Sequence, residues 1–361
     1  MQSEPLRRYG WDDHFESSFE SVWKESLEPG RVLEESRQRF RLYTAHGEIG
    51  AEVSGRFRFK ASARESFPAV GDWVALRRLP AENRAIIEAV LQRKSQFIRK
   101  AAGKQTEAQV VGANMDWVFV MMSLNQDFNA RRLERYLVLA WESGASPVVI
   151  LSKSDLCNDK AAAVATIRGA TPNLPIHAIS TLTGEGLQEL QVYLAAGKTV
   201  ALLGSSGVGK STLVNEFLER PSLKTQPIRA HDDRGRHTTT TRQLFLLPCG
   251  ALVLDTPGLR ELQLWEAEGG VQMAFEGIEA LARQCRFRDC AHQNEPGCAI
   301  REALAAGTLD EKRFQSYGKL KREIENLVLK QDGHAERLER QRWKKFSHLA
   351  KDKAFAKWKG D

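Results

Sequence analysis

A glycine-rich stretch, GSSGVGKS, lies well inside this 361-residue chain, at residues 204–211. It fits the phosphate-loop pattern G-x-x-x-x-G-K-[ST], and the apolar run before it and the helical stretch after it supply the context that the pattern requires. In such a loop, backbone N–H groups surround phosphate oxygens, the lysine reaches the β- and γ-phosphates, and the last hydroxyl ligates Mg²⁺. The residues expected to bind nucleotide here are Gly204, Ser205, Ser206, Gly207, Val208, Gly209, Lys210, Ser211 and Thr212.

Two further phosphate-site motifs follow along the chain. The run ALVLDTPG carries Asp255, which suits a Mg²⁺-organising carboxylate, and Gly258, whose N–H would face the γ-phosphate. Between this run and the phosphate loop lies GRHTTTTRQ, in which Thr239 or Thr240 would supply a second Mg²⁺ ligand. These motifs together fit either an ATPase or a GTPase.

The residues that would select guanine come before the phosphate loop, whereas they normally follow it. Guanine recognition needs an aspartate that accepts hydrogen bonds from the base and a lysine whose stem covers the ring. The match is SKSD, directly after the apolar run VVIL, and the stretch IST follows at the usual spacing. A polar turn is the alternative for SKSD alone. The residues predicted to contact the base are Ser152, Lys153, Ser154, Asp155, Ser180 and Thr181.

All parts of a GTP-binding domain are therefore present, in a circularly permuted order. A sheet tolerates such an order because strand packing depends on adjacency in space. Near-continuous apolar runs alternate with helical stretches, which favours a buried parallel sheet. We predict an α/β circularly permuted P-loop GTPase domain whose strands carry the runs MDWVFVMMSL, SPVVILS, IHAIS, KTVALLG and ALVLDTPG.

The sequence lacks the glutamine that often orients the attacking water in GTP hydrolysis. Leu259 follows Gly258, at the position where a glutamine often orients the attacking water. His237 is the candidate replacement, because a neutral imidazole can accept a hydrogen bond from water. A solvent-facing histidine without a catalytic role is the alternative.

The residues before the GTPase domain show a different pattern. Short alternating runs separated by glycines predict about five strands of a small all-β barrel of the oligonucleotide-binding (OB) type. The stretch AAGKQTEAQVVGAN, which follows, is interpreted as a linker. The runs assigned to the barrel are RFRLYTA, GEIGAEVSGRFRF, GDWVALRRL and AIIEAVL.

A cysteine and histidine cluster interrupts the mostly helical C-terminal part. Its spacing is C-x4-C-x-H-x5-C, and three thiolates with one imidazole suit a closed, structural Zn²⁺ site. Buried reduced cysteines with a surface histidine are the alternative. The predicted ligands are Cys285, Cys290, His292 and Cys298. The predicted division is an N-terminal extension 1–30, an OB barrel 31–104, the GTPase domain 105–268, a helical zinc-binding domain 269–330 and a basic tail 331–361.

The formal net charge of +7 is unevenly distributed. Residues 31–104 carry +8 and residues 311–361 carry +7, which leaves −8 on the rest. This asymmetry suggests a polyanionic partner, nucleic acid rather than membrane, with solvated basic surfaces as the alternative. In the tail, aromatic residues interleave with lysines. Three interpretations of the tail stay open: it stacks on RNA, it binds an acidic membrane, or it is a solvated helix. A chain without a long apolar run or a signal-peptide pattern is expected in the cytoplasm.

The chain resembles the RsgA (YjeQ) family over residues 30 to 330. The features that carry the resemblance are the order of the motifs and the stretches GRHTTT and CRFRDCAH…PGCAI. The resemblance implies an OB barrel, a permuted GTPase domain and a zinc domain. It also implies binding to the small ribosomal subunit through rRNA, a role late in subunit maturation, and slow GTP hydrolysis that the subunit accelerates. We expect a monomer, with other assembly factors as further candidate partners. Ser152 departs from the family, which usually has asparagine there, although a hydroxyl can still reach the phosphate-loop backbone.

Two other classes of protein share some of these motifs. A zinc-containing RNA-binding module that only holds GTP would have a degenerate hydrolytic site, but Lys210, Ser211 and Asp255 are intact. A metabolic P-loop kinase would need an acceptor-binding region, which is not evident, and would not need the SKSD motif.

Overall fold

The computed structural model describes residues 4–24, 26–36, 39–61, 63–79, 82–100, 108–125, 128–171, 173–219, 242–255 and 267–327. The strands are β1 (Glu28–Ser36), β2 (Arg39–Thr44), β3 (Gly47–Val53), β4 (Trp73–Leu79), β5 (Arg84–Val90), β6 (Gln96–Lys100), β7 (Ala108–Ala113), β8 (Trp117–Ser123), β9 (Ser146–Ser152), β10 (Ile176–Ala178), β11 (Thr199–Gly204), β12 (Arg242–Leu246) and β13 (Leu252–Asp255).

The α-helices are α1 (Glu4–Arg7), α2 (Asp13–Val22), α3 (Gly55–Lys60), α4 (Ala130–Glu142), α5 (Lys160–Ala170), α6 (Lys210–Phe217), α7 (Glu268–Ala274), α8 (Glu276–Ala282), α9 (Ala299–Ala305) and α10 (311–327). Short 3₁₀ helices lie at Arg64–Ser66, Ser154–Leu156 and Leu187–Tyr193. Within the described ranges, every helix is too short or too polar to cross a lipid bilayer.

The first five strands form the predicted barrel. They pair in the order β1-β2-β3-β5-β4, and a further pairing of β1 with β4 closes the ring. All these pairs are antiparallel except β3 with β5, which is parallel. Alternate residues face inward, as β2 illustrates, because successive side chains of a strand point to opposite faces. The N-terminal residues pack on the same core, where the Trp11 ring lies 4.7 Å from that of Trp73.

Two segments differ from their sequence-based predictions. GRFRF was predicted to continue a strand, but Gly55–Lys60 is helix α3 because the Ser54 hydroxyl caps it, accepting from Phe57 N–H at 3.0 Å. The predicted linker contains β7, which pairs antiparallel with β6. Val110 and Ala113 of β7 are buried against Ala69, so packing with a distant segment orders this stretch.

The GTPase domain contains the predicted parallel sheet, in the order β10-β9-β8-β11-β13-β12. Its outer strand β12 runs antiparallel to β13 and was not predicted. β12 also pairs with β1 of the barrel, so the two sheets are continuous. An ion pair between Arg242 and Glu35, 3.0 Å apart, lies at this join.

Helix α4 carries the contacts between the GTPase domain and the C-terminal helices. Asn129 caps its start by accepting from two backbone N–H groups. Arg135 forms a two-point ion pair with Glu323 of α10, at 2.6 and 2.8 Å. At its other end Glu142 accepts from Gly270 N–H of α7 at 2.9 Å. These polar contacts place α7 and α10 against α4.

Candidate nucleotide site and candidate metal centre

Those predicted nucleotide residues that the structure describes converge at one edge of the GTPase sheet. Strands β8, β9, β10, β11 and β13 are parallel, so their carboxyl ends lie together. The chain moves outward from β8 to β9 and β10 and then returns to β11 on the other side of β8. Ligands of open α/β sheets bind in the crevice at such a switch in strand order. Ser152, Gly204 and Asp255 end three of these strands.

The phosphate loop joins β11 to α6. Gly207 and Gly209 have φ values of 71° and 100°, a left-handed backbone that glycine adopts without steric cost. The Lys210 ammonium donates to the carbonyls of Gly204 and Ser205, each at 2.7 Å, and so lies across the loop. Because α6 begins at Lys210, its N-terminal N–H groups face the same loop and favour an anion.

The remaining loop residues divide by exposure. Val208 is buried in the core beneath the loop, whereas Ser206 and Thr212 are exposed and Ser211 is half-buried. Arg132, near the start of α4, places its Nη1 3.4 Å from Ser205 Oγ. The loop therefore presents polar groups to solvent from an apolar anchor.

The predicted guanine motif lies beside this loop. The buried Ser152 hydroxyl donates to the Val208 carbonyl at 2.7 Å, which joins two motifs that are 56 positions apart in sequence. Asp155 Oδ1 accepts from the Ser180 hydroxyl at 2.5 Å, so the second predicted base-binding loop positions this carboxylate. Lys153 has a left-handed backbone with φ of 58°. Thr181 follows in the turn and is half-buried.

Glu185 supports this motif and was not predicted from the sequence. Its carboxylate accepts from Ser154 Oγ at 3.0 Å and from Lys160 Nζ at 2.6 Å. These hydrogen bonds lower the pKa of the Glu185 carboxyl, and the one from Lys160 has the larger effect. A single acidic residue in a turn carries no sequence signal, because its partners become neighbours only in the fold.

The structure describes only part of the two phosphate-site motifs that follow the phosphate loop. Asp255 ends β13 next to β11 and lies opposite Gln243 of β12. Gly258, His237, Thr239 and Thr240 lie outside the described residues. Their assigned roles stay predictions.

Replacing Ser152 by alanine should weaken GTP binding about tenfold and lower the free energy of unfolding by about 1–2 kcal/mol, because the buried Val208 carbonyl loses its donor. Ser143→Ala is the matched control, since this buried serine donates to the Ala140 carbonyl at the far end of α4. Nucleotide titration and urea unfolding measure both effects. Unchanged GTP affinity in Ser152→Ala would show that the contact does not shape the loop.

The four predicted metal ligands form one cluster. Their ligand atoms all lie within 4.8 Å of one another. Sγ of Cys285 is 3.9 Å from Sγ of Cys298, and His292 Nδ1 is 3.6 and 3.5 Å from these two sulfurs. A tetrahedral ion with ordinary Zn–S and Zn–N bonds would place two sulfurs about 3.8 Å apart and sulfur and nitrogen about 3.6 Å apart. The donor set and its spacing fit Zn²⁺.

Known proteins resemble this chain over most of its length. The RsgA GTPase family matches residues 90–265. "Small ribosomal subunit biogenesis GTPase RsgA 2" of Lactiplantibacillus plantarum is 49% identical over 295 residues, covering 82% of this chain and 83% of the relative. "Small ribosomal subunit biogenesis GTPase RsgA" of Opitutus terrae is 45% identical over 364 residues, covering 98% of this chain and 99% of the relative.

Solved structures resemble it as well. The crystal structure of YjeQ from Thermotoga maritima has a TM-score of 0.63 at 29% identity and covers 82% of this chain and 98% of that chain. YloQ, described as a circularly permuted GTPase, has a TM-score of 0.60 at 22% identity, covers 83% and 96%, and supports the fold. The predicted permuted fold is confirmed, and the chain belongs to the RsgA GTPase family.

Proposed function

We propose that this chain is a GTPase that binds the small ribosomal subunit through rRNA and assists its late maturation. The observation that carries this proposal is the contact of Ser152 with Val208, which brings the guanine motif to the phosphate loop. The names of the relatives supply the small subunit as partner. A monomer in the cytoplasm is the matching state, with other assembly factors as further partners.

The central residues of the nucleotide site have the following proposed roles. Lys210 binds the β- and γ-phosphates, and Ser211 and Asp255 hold Mg²⁺, which neutralises phosphate charge when bound. Asp155 accepts hydrogen bonds from guanine. The nearby Ser180 hydroxyl fixes the orientation of that carboxylate, at 2.5 Å. The roles of Gly258, Thr239 and Thr240 follow from the sequence motifs alone.

GTP turnover with and without purified small ribosomal subunits tests the proposal. The protein alone should turn over GTP slowly, at about one per minute or less, as unassisted GTPases do, and subunits should raise this rate at least about tenfold. Lys210→Ala is the control for contaminating hydrolases. Equal turnover with small and large subunits would contradict the proposal. Tight GTP binding with no hydrolysis under either condition would favour the alternative, a GTP-holding RNA-binding module.

His237→Ala should leave GTP affinity and subunit binding nearly intact while abolishing the stimulation. The reason is that Leu259 cannot orient water, so an imidazole is assigned that task. Turnover at saturating subunits measures the effect. A variant stimulated as strongly as the parent would mean that another group, for example one on the subunit, activates the water.

We propose that the cluster holds one structural Zn²⁺. Cys290→Ser should release the metal and unfold residues 271–310, because metal-binding energy is folding energy in such a site, whereas GTP affinity should largely persist. Cys249→Ser is the matched control, because this exposed cysteine lies outside the cluster. Metal analysis and far-ultraviolet circular dichroism measure the two effects. Freshly purified parent protein without stoichiometric zinc would refute the site.

The proposed division into five segments follows from the sequence alone. The proposed role of the basic tail in binding rRNA follows from the sequence as well. Residues 331–361 lie outside the described ranges. The barrel and the tail together carry most of the excess positive charge, which suits a polyanionic partner such as rRNA.

A further inference from the structure

Helix α3 of the barrel presents one phenylalanine almost entirely to solvent. Phe59 is 92% exposed, more than any other large apolar side chain of the described residues. Phe57, two positions earlier, is half-buried and contacts Phe67 with ring centroids 5.7 Å apart. Because residues two apart lie on nearly opposite sides of a helix, anchoring Phe57 directs Phe59 outward.

The helix that carries Phe59 is held to the barrel at its N-terminal end and closed by a local hydrogen bond at its C-terminal end. The Ser54 hydroxyl accepts from Phe57 N–H at 3.0 Å, and Ser54 N–H donates to the carbonyl of Ile87 in β5 at 3.0 Å. At the C-terminal end, Ala61 N–H donates to the Phe57 carbonyl at 2.9 Å. The phenyl ring therefore sits on a short, fixed platform, which limits the entropy lost when a ligand contacts it.

Positive charge surrounds the ring. Arg56 lies three positions before Phe59 and four before Lys60, so it neighbours both of them on one side of α3. Arg58 adds a further exposed cation, and α3 has no acidic residue. In the described part of the chain, no carboxylate forms an ion pair with these three basic side chains. Their charge is available to an anionic ligand.

We propose that Phe59 is a stacking platform for an unpaired base of single-stranded RNA, with Arg56 and Lys60 contacting the adjacent phosphates. Aromatic rings within a basic surface bind single strands in this way, because every base has a π face. Bases inside a duplex are already stacked and do not offer that face. The proposal rests on the proposed function only for the source of the RNA, the small ribosomal subunit.

A protein partner fits this surface less well. The centres of protein interfaces are more apolar than the rest of the surface and depleted in charged residues other than arginine, whereas Phe59 is a single exposed ring among Arg56, Arg58 and Lys60. The other exposed large apolar residues of the described chain lie on other elements; they are Trp23, Leu156, Leu182, Val192, Met273 and Phe287. Charge complementarity therefore favours nucleic acid.

Binding of the full chain to a fluorescein-labelled single-stranded RNA of about 12 nucleotides tests the proposal, since OB folds cover sites of this size. Phe59→Ala should weaken binding about tenfold. Trp23→Ala is the matched control, because this aromatic residue is also exposed, at 56%, but lies next to a single lysine. Equal affinities of the parent and Phe59→Ala, or no binding by the parent, would overturn the proposal.

Substitutions that keep or remove the ring separate stacking from general apolar contact. Phe59→Tyr and Phe59→Trp should retain the affinity, and Phe59→Leu should lose it. Full binding by Phe59→Leu would overturn stacking. Joint replacement of Arg56 and Lys60 by glutamine should make the slope of log affinity against log salt concentration shallower by about 1.4, since each phosphate contact with a single strand releases about 0.7 of a counterion.

Binding to whole small subunits is measured in parallel. A parent protein that binds the RNA through Phe59 but ignores small subunits would refute the proposed function and leave the stacking site supported. A parent that binds subunits while Phe59→Ala matches it on both RNA and subunits would overturn the stacking site alone.

Discussion

Asp155→Asn is expected to lower the affinity for GTP about a thousandfold and to make the protein prefer xanthosine triphosphate. A carboxylate accepts from both the ring N–H and the exocyclic amine of guanine, whereas an amide presents a donor to that amine. Xanthine carries an oxygen in place of the amine and accepts from the new donor. The hydrogen bond from Ser180 at 2.5 Å holds Asp155 in one orientation, so the pattern of donors and acceptors decides the preference.

Titration with labelled GTP, ATP and xanthosine triphosphate measures this change. Asp159→Asn is the matched control, because this nearby carboxylate only caps α5 by accepting from Ala162 N–H, and asparagine caps a helix equally well. A parent protein with equal affinity for ATP and GTP would refute the assignment of the guanine motif. So would an Asp155→Asn variant that still prefers GTP.

Arg31→Met is expected to lower the free energy of unfolding by about 4 kcal/mol. The Arg31 side chain is 1% exposed and lies over the Trp73 ring, 5.6 Å from its centroid. Its guanidinium donates to the Gly71 carbonyl at 3.2 Å and to the Tyr9 carbonyl. It also donates to the Asn114 carbonyl at 3.2 Å and to the Thr199 hydroxyl at 3.0 Å.

These partners come from four parts of the chain: the N-terminal helices, the barrel, the segment after β7 and the start of β11. Burial lowers the pKa of Arg31 to about 10, so the group stays charged near neutral pH. Removing the guanidinium takes the donor from the buried Tyr9 and Asn114 carbonyls, each costing about 1–3 kcal/mol, whereas the Gly71 carbonyl keeps a donor in Asn114 Nδ2 at 3.0 Å. The barrel and the GTPase domain then lose a shared polar contact.

Urea unfolding followed by tryptophan fluorescence measures this loss, because Trp73 lies beside Arg31. Arg39→Met is the matched control in the same barrel, since the Arg39 side chain is 81% exposed and lies 3.7 Å from its only paired carboxylate in the described residues, Glu52. Its removal should change stability by less than about 1 kcal/mol. An Arg31→Met variant as stable as the parent would show that the buried network contributes nothing net.

The sequence by itself determined the elements whose chemistry is local. SPVVILS coincides with β9, and the phosphate loop lies between a predicted strand and helix, because apolar runs and glycine positions act within a few residues. The guanine motif was predicted on the same basis, despite its reversed order along the chain. Its contact with the phosphate loop through Ser152 required only that parallel strand ends share an edge.

Only the tertiary structure decided how these elements join. Strand β12 forms because β13 and β1 flank it, and β1 is more than 200 positions away in sequence. Arg31 resembles any other basic residue in the sequence, yet four distant segments converge on it and bury it. Long-range pairing and burial depend on neighbours that no local pattern specifies, and for that reason the continuity of the barrel with the GTPase sheet emerged only from the fold.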